Sequence, residues 1–190
     1  MQFLALLGMI ILVVAAALGV KACSDLPEKP AQVAQEQSKR LDVIALPDGA
    51  TINAPPGSTS EQIASFLASR ETAPRRFEPG GNEFNSWSGE PTPESQARLV
   101  AFTQLLKAYP NATVQIIGYT DNIGDAAANQ KLSQDRADSV VRRLVESGIS
   151  AGRLTAKGMG MAEPIGDNGT EAGRARNRRI AVIIDPDGNP

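Results

Sequence analysis

Eighteen consecutive positions at the start of the chain carry no charge: Phe3 to Val20 reads FLALLGMIILVVAAALGV. As a helix this run rises about 27 Å, close to the roughly 30 Å hydrocarbon core of a bilayer, so residues 1–22 predict a transmembrane anchor or signal segment. Residues 23–40 mix Pro, Gln, Glu and Lys with scattered alanines. Such a stretch buries too little to fold and reads as a tether spanning about 20 to 25 Å on average. Alternation in Leu41 to Leu46, the turn signal Pro47-Asp48-Gly49 and a second β-like stretch, Ala50 to Ala54, predict a hairpin. Ser58 is placed to cap a helix reaching Ala68, with Ile63, Phe66 and Leu67 on one face. This ββα segment, 41–72, is too small to hold itself together and is expected to dock on the larger C-terminal domain.

Beyond it, strand and helix patterns alternate. Phe77 to Trp87 is β-like but interrupted by Pro79-Gly80-Gly81. A helix is predicted from Thr92 to Ala108, with Leu99, Phe102, Leu105 and Leu106 on its apolar stripe and Pro110 beyond its end. Thr113 to Tyr119 is a strand, Ala126 to Ser147 a long helix closed by Gly148, and Leu154 to Met159 a short strand. Glu171 to Arg178 reads as a short helix and Arg179 to Ile184 as an apolar strand. Alternation of this kind predicts an α/β (α+β) fold, a two-layer sandwich of one mixed sheet packed against helices over 76–186, with 187–190 as a tail.

Composition narrows the chemistry. A net charge of −2 and a pI near 5.3 supply no basic field, so nucleic acid is not an expected partner. The chain has no histidine and a single cysteine, Cys23, which excludes the commonest general base and any all-thiolate metal cage. Carboxylates such as Asp125 and Asp135 fall on turns and solvent faces, where they mostly solvate the surface. The expected protein is non-enzymatic, without metal or cofactor. Val20-Lys21-Ala22-Cys23 loosely resembles the end of a lipoprotein signal, although Lys21 departs from that pattern. An uncleaved anchor, lipidation at Cys23 and a cleaved signal all stay open.

Asp121 lies where a strand ends and the long helix is about to begin, a position at which an Asp commonly caps a helix or braces a turn. At 100° per residue the apolar arc of that helix runs through Leu132, Ala137, Val140, Val141 and Leu144, and Lys131, Asp135, Asp138, Arg142 and Glu146 lie opposite. Arg136 falls on the apolar side, with Asn129 near the same edge. A guanidinium there needs a carboxylate or a charged ligand, because burying it alone costs several kcal/mol. Asp121 and Arg136, next to helix N-terminal amides, suit a zwitterion whose ammonium meets the acid and whose carboxylate meets the guanidinium. A mutual salt bridge is the equal alternative on physical grounds.

The ordered set Gly118-Tyr-Thr-Asp-Asn-Ile-Gly124, Asn129, Leu132-Ser-Gln-Asp-Arg-Ala137, Gly158-Met-Gly160, Pro164, Asn168 and Gly173-Arg-Ala-Arg-Asn-Arg-Arg179 resembles the OmpA-like domain signature over roughly 76–185. The resemblance implies peptidoglycan as partner. Asp121 and Arg136 then match the positions that contact diaminopimelate of the stem peptide, Thr120 and Asn129 match cleft-shaping neighbours, and Arg179 belongs to the basic motif before the last strand. Asn85 stands where an acidic residue often follows the Phe, and Tyr119 where the family most often has His. The implied setting is a bacterial envelope, with the globular domain in the periplasm, tethered to the inner or outer membrane by the N-terminal helix or a lipid. The competing expectation is a scaffold subunit with envelope protein partners that keeps the fold without wall binding.

Overall fold

The computed structural model describes residues 42–69, 71–78 and 93–188. The chain divides into two units, Met1–Lys39 and Arg40–Pro190, and every described residue falls in the second. Phe3 to Val20, Cys23, the tether, residues 189–190 and Asn85 lie outside the described residues.

Local chemistry starts the fold. β1 (Asp42–Ala45) and β2 (Thr51–Ala54) pair antiparallel, and the turn between them is held by the Ala50 N–H donating to Asp48 Oδ1 at 3.0 Å. α1 (Thr59–Ala68) begins at Ser58, whose hydroxyl accepts from the Glu61 N–H at 3.2 Å. β3 (Arg75–Phe77), α2 (Pro93–Ala108), β4 (Thr113–Gly118) and α3 (Ala126–Glu146) come next. A 3₁₀ turn (Ala151–Arg153), β5 (Leu154–Gly158), α4 (Glu171–Asn177) and β6 (Ile180–Asp185) complete the order.

The main sheet runs β3-β6-β4-β5, with β6 antiparallel to β3 and β4, and β5 parallel to β4. Parallel neighbours need a long crossover, and α3 supplies it. Period-two alternation sorts the strand side chains between two faces. Val114, Ile116, Ile180, Val182 and Ile184 join the main core, whereas Ile117, Tyr119 and Ala181 form a second, small cluster. β3 starts at Arg75, opposite Ile184, and ends at Phe77, opposite Val182. The stretch expected over 77–87 falls almost wholly in residues 79–92, which lie outside the described residues.

The ββα piece shares the main core. Leu46, Ile52, Ala54, Ile63 and Phe66 are buried in one cluster with Phe102, Leu105 and Leu106 of α2. Phe66 and Phe77 lie 5.4 Å apart between ring centroids, and the Arg75 guanidinium covers both rings at 5.8 and 5.5 Å.

Two glycines let α3 lie against the sheet. A Cβ on Gly118 would sit 2.2 Å from the Ser133 carbonyl oxygen, and one on Gly158 would sit 2.5 Å from the Gln134 nitrogen. The close approach is held by hydrogen bonds. Gln130 Nε2 donates to the Gly158 carbonyl at 2.8 Å, Gln134 Oε1 accepts the Gly158 N–H at 2.7 Å, and Ser133 Oγ accepts the Gly160 N–H at 2.8 Å. The stripe that α3 buries therefore differs from the apolar arc read in the sequence. It consists of Asn129, Ser133, Arg136, Ala137 and Leu144, while Val140 and Val141 are only partly buried. Polar side chains replace apolar ones where the helix meets backbone groups instead of side chains.

Candidate functional site

Beyond the end of β4 the chain turns sharply into α3. The Asp121 Oδ1 accepts the Ile123 N–H at 3.0 Å, which braces the turn, and Asp125 caps the helix by accepting from Ala127 and Ala128 at 2.9 and 3.0 Å. The capping role open to Asp121 thus belongs to Asp125. The Ala127 and Ala128 amides are thereby occupied. Asn129, buried one turn into α3, donates from Nδ2 to the Ile123 carbonyl at 2.9 Å and pins the turn from the other side.

A cleft of about 440 Å³ opens here, lined by Thr120, Asp121, Ile123, Asn129, Leu132, Arg136, Glu171, Arg174 and Arg178. Four of the residues singled out in the sequence, Asp121, Arg136, Thr120 and Asn129, meet on it. Thr120 is buried, its N–H donating to the Gly160 carbonyl at 2.8 Å and its hydroxyl to the Asp121 carbonyl at 2.9 Å. Arg136 is only 3% exposed and donates from Nη1 to the Tyr119 carbonyl at 3.5 Å. Burial, and then the neighbouring Arg178 charge, pull its pKa below the ordinary arginine value, while Asp121 opposes them. The site is built so that a further negative charge near Arg136 is favourable.

Asp121 forms its ion pair with Arg178, Oδ2 to Nη1 at 2.8 Å. Arg178 reaches on from Nη2 to Glu171 Oε1 at 2.7 Å, and Arg174 Nη2 meets Glu171 Oε2 at 2.7 Å. Three guanidiniums thus face two carboxylates along this lining.

Arg179, expected among the site residues, does not line this cleft. Adjacent residues at the entry to a strand point to opposite sides, and Arg178 took the cleft. The Arg179 guanidinium stacks on Tyr119, 3.8 Å from the ring centroid, and bonds Glu78 Oε2 at 3.1 Å and the Glu163 carbonyl at 3.0 Å. Tyr119, also outside the lining, donates its hydroxyl to Glu163 Oε2 at 2.8 Å and accepts from Arg76 Nη2 at 2.9 Å. Burial first, and then the Glu163 carboxylate, push the phenol pKa up. Position 119 therefore belongs to a structural polar cluster, consistent with Tyr standing where other residues also fit.

Sequence reasoning did not single out Glu171, Arg174, Ile123 or Leu132 as site residues. The first two come from α4, 35 or more residues beyond Arg136, and nothing local ties them to it. Arg178 does so in three dimensions by bonding both Asp121 and Glu171, and Asn177 holds the loop before α4. Its side chain accepts the Ile165 and Gly166 N–H groups, each at 2.8 Å, and donates to the Gly166 carbonyl and Asn168 Oδ1. That clamp folds the 163–168 loop against α4.

A mixed sheet backed by helices, with a polar cleft where β4 passes into α3 and no metal-binding cluster among the described residues, defines a small ligand-binding domain. Residues 76–178 match the OmpA family model, and the chain belongs to that family. It is 40% identical over 108 residues to the probable lipoprotein YiaD of Escherichia coli, covering 57% of this chain and 49% of that protein. It is 32% identical over 162 residues to the peptidoglycan-binding protein ArfA of Mycobacterium bovis, covering 82% of this chain and 49% of that one. The chain thus spans about half the length of these curated relatives. Among solved structures, the cell wall anchor of the T6SS from Pseudomonas aeruginosa matches with a TM-score of 0.54 at 30% identity, over 67% of this chain and 96% of that one.

Proposed function

We propose that the cleft binds peptidoglycan non-covalently through the free zwitterionic end of diaminopimelate in the stem peptide. The observation that carries this reading is the meeting of Asp121 and Arg136, fifteen positions apart in sequence, on one cleft. The ammonium of the ligand takes the Asp121 carboxylate, and its carboxylate takes the buried Arg136 guanidinium, with Thr120 and Asn129 holding the turn in place. Similarity to ArfA, a peptidoglycan-binding protein, and to the T6SS cell wall anchor supports a cell-wall ligand. No step of this binding needs a proton donor, a metal or a cofactor, so the domain acts by binding alone.

Tethering is the role left to the rest of the chain. Among the described residues no helix is long and apolar enough to cross a membrane, and the anchoring role rests on Phe3 to Val20 and Cys23. With YiaD, a probable lipoprotein, among the relatives, the reading is a periplasmic wall-binding domain held to an envelope membrane. The test is co-sedimentation of the full chain, in detergent, with purified diaminopimelate-type peptidoglycan beside Asp121→Ala and Arg136→Ala, each checked for folding by circular dichroism. The parent should sediment and both variants should stay in solution. A folded parent that stays in solution would instead favour the scaffold reading.

A further inference from the structure

Beyond Asp121 and Arg136, the cleft holds a second arrangement of opposite charges. Arg174 and Arg178 are 23% and 21% exposed, and one carboxylate ties them together. Glu171 Oε2 accepts from Arg174 Nε at 3.1 Å and Nη2 at 2.7 Å, and its Oε1 accepts from Arg178 Nη2 at 2.7 Å. Asp121 and Glu171 thus both hold Arg178, but they are not equivalent. The Asp121 side chain is 12% exposed and is fixed from behind by the Ile123 N–H, whereas that of Glu171 is 67% exposed. An exposed ion pair contributes little and is readily exchanged, while the two guanidiniums it covers are largely withdrawn from water and keep their need for an anion. Arg174 is also held in place by donating from Nη1 to the Asn168 carbonyl at 3.0 Å, so its fork stays aimed when Glu171 leaves.

We propose that Arg174 and Arg178 form a second carboxylate subsite, which Glu171 fills in the free protein and which a second carboxylate of the stem peptide takes over on binding. This rests on the reading of Asp121 and Arg136 as the grip on the zwitterionic end. That end carries no net charge; a further carboxylate supplies the anion that Arg174 and Arg178 share with Glu171 in the free protein. In a stem tripeptide this carboxylate has two sources, the chain-terminal one and the α-carboxylate of the γ-linked D-glutamate. Glu171 is therefore a built-in competitor. It keeps the arginines paired without a ligand and sets a threshold that a ligand with a single charged end does not overcome.

The test is calorimetric titration of the full chain in detergent with the tripeptide L-Ala-γ-D-Glu-meso-diaminopimelate, and with two analogues in which either the terminal or the glutamate α-carboxylate is a primary amide. Glu171→Gln should bind the tripeptide about three- to tenfold tighter than the parent, because the competing charge is gone. One amide, by losing that gain and binding the parent about tenfold more weakly, identifies the source of the carboxylate. Arg174→Gln should bind the tripeptide and that amide alike. Equal or weaker binding by a folded Glu171→Gln, or two amides that bind as the tripeptide does, overturns the subsite while leaving the zwitterion site standing. A parent that binds none of the three peptides overturns the zwitterion reading and the subsite with it.

Discussion

Arg136 has surroundings that its spacing only hints at. It lies on the buried face of α3, 3% exposed, yet its guanidinium reaches the cleft. Planar, two-pronged donation is what a carboxylate ligand requires, and an ammonium does not reproduce it. Arg136→Lys should therefore retain the fold by circular dichroism and lose affinity for the stem tripeptide by about tenfold or more, read by titration. The residues that could be mistaken for chemistry have other work: Asp125 caps α3, and Asp135 pairs with Lys131 one turn away at 2.6 Å. At this scale Asp121 and Arg136 drew attention by their places at a strand end and on a helix face, and Thr120 and Asn129 by the family resemblance; all four line the cleft. Glu171 and Arg174 did not, since they come from a helix whose link to the site, the Arg178–Asp121 ion pair, joins residues 57 positions apart.

The elements explain why the site is rigid. α3 approaches β4 and β5 closely enough that glycine is required at 118 and 158, and its polar stripe serves the backbone of β5. Gly158→Ala would force a Cβ to within 2.5 Å of the Gln134 nitrogen and 2.7 Å of Ser133 Oγ. The helix must then shift, and the expected cost is about 1–3 kcal/mol, seen as a lower urea midpoint together with weaker tripeptide binding. The opposite end of the sheet shows another such joint. Arg153 donates to the carbonyls of Ala112, Leu106 and Tyr109 at 2.8, 3.0 and 2.8 Å, tying the end of α2 to the start of β5 without any carboxylate.

Acid should loosen the contacts between elements. The Tyr119 hydroxyl, then Arg76, hold the Glu163 carboxyl below the usual glutamate range, and Arg178, then Arg174, do the same for Glu171. Groups with depressed folded-state pKa values contribute stability above their unfolded pKa, and that contribution is lost as pH falls through the folded value. Urea midpoints should therefore decline as pH drops below about 4.3, the ordinary glutamate value. Glu163→Gln should flatten part of that decline. A midpoint whose acid dependence is unchanged by Glu163→Gln would remove this carboxylate from the explanation.

Taken whole, Arg40–Pro190 is one compact unit, and the family match at 76–178 covers only part of it. Phe66, from the ββα piece, is buried against Phe77 in the same core as Leu105 and Leu106. Phe66→Ala should cost about 3–5 kcal/mol and lower a single thermal transition; two separate transitions would show that the ββα piece unfolds alone.

Period-two and helical spacing, with Ser58, the Pro47-Asp48-Gly49 turn and the Thr120-Asp121 junction, were enough to read the element order and a sheet with its helices, and they put Asp121 and Arg136 near one edge, while the choice of a shared ligand cleft over a mutual salt bridge came from the family resemblance. The element order and those placements are local, since each depends on residues within a turn or on a strand and the helix after it. The polar stripe of α3, the choice of Arg178 over Arg179 for the cleft, the Tyr119–Glu163–Arg76 cluster and the Glu171 clamp were decided by tertiary structure. Each depends on which backbone groups or charges from distant segments need a partner once the sheet has formed, and no local spacing encodes that demand.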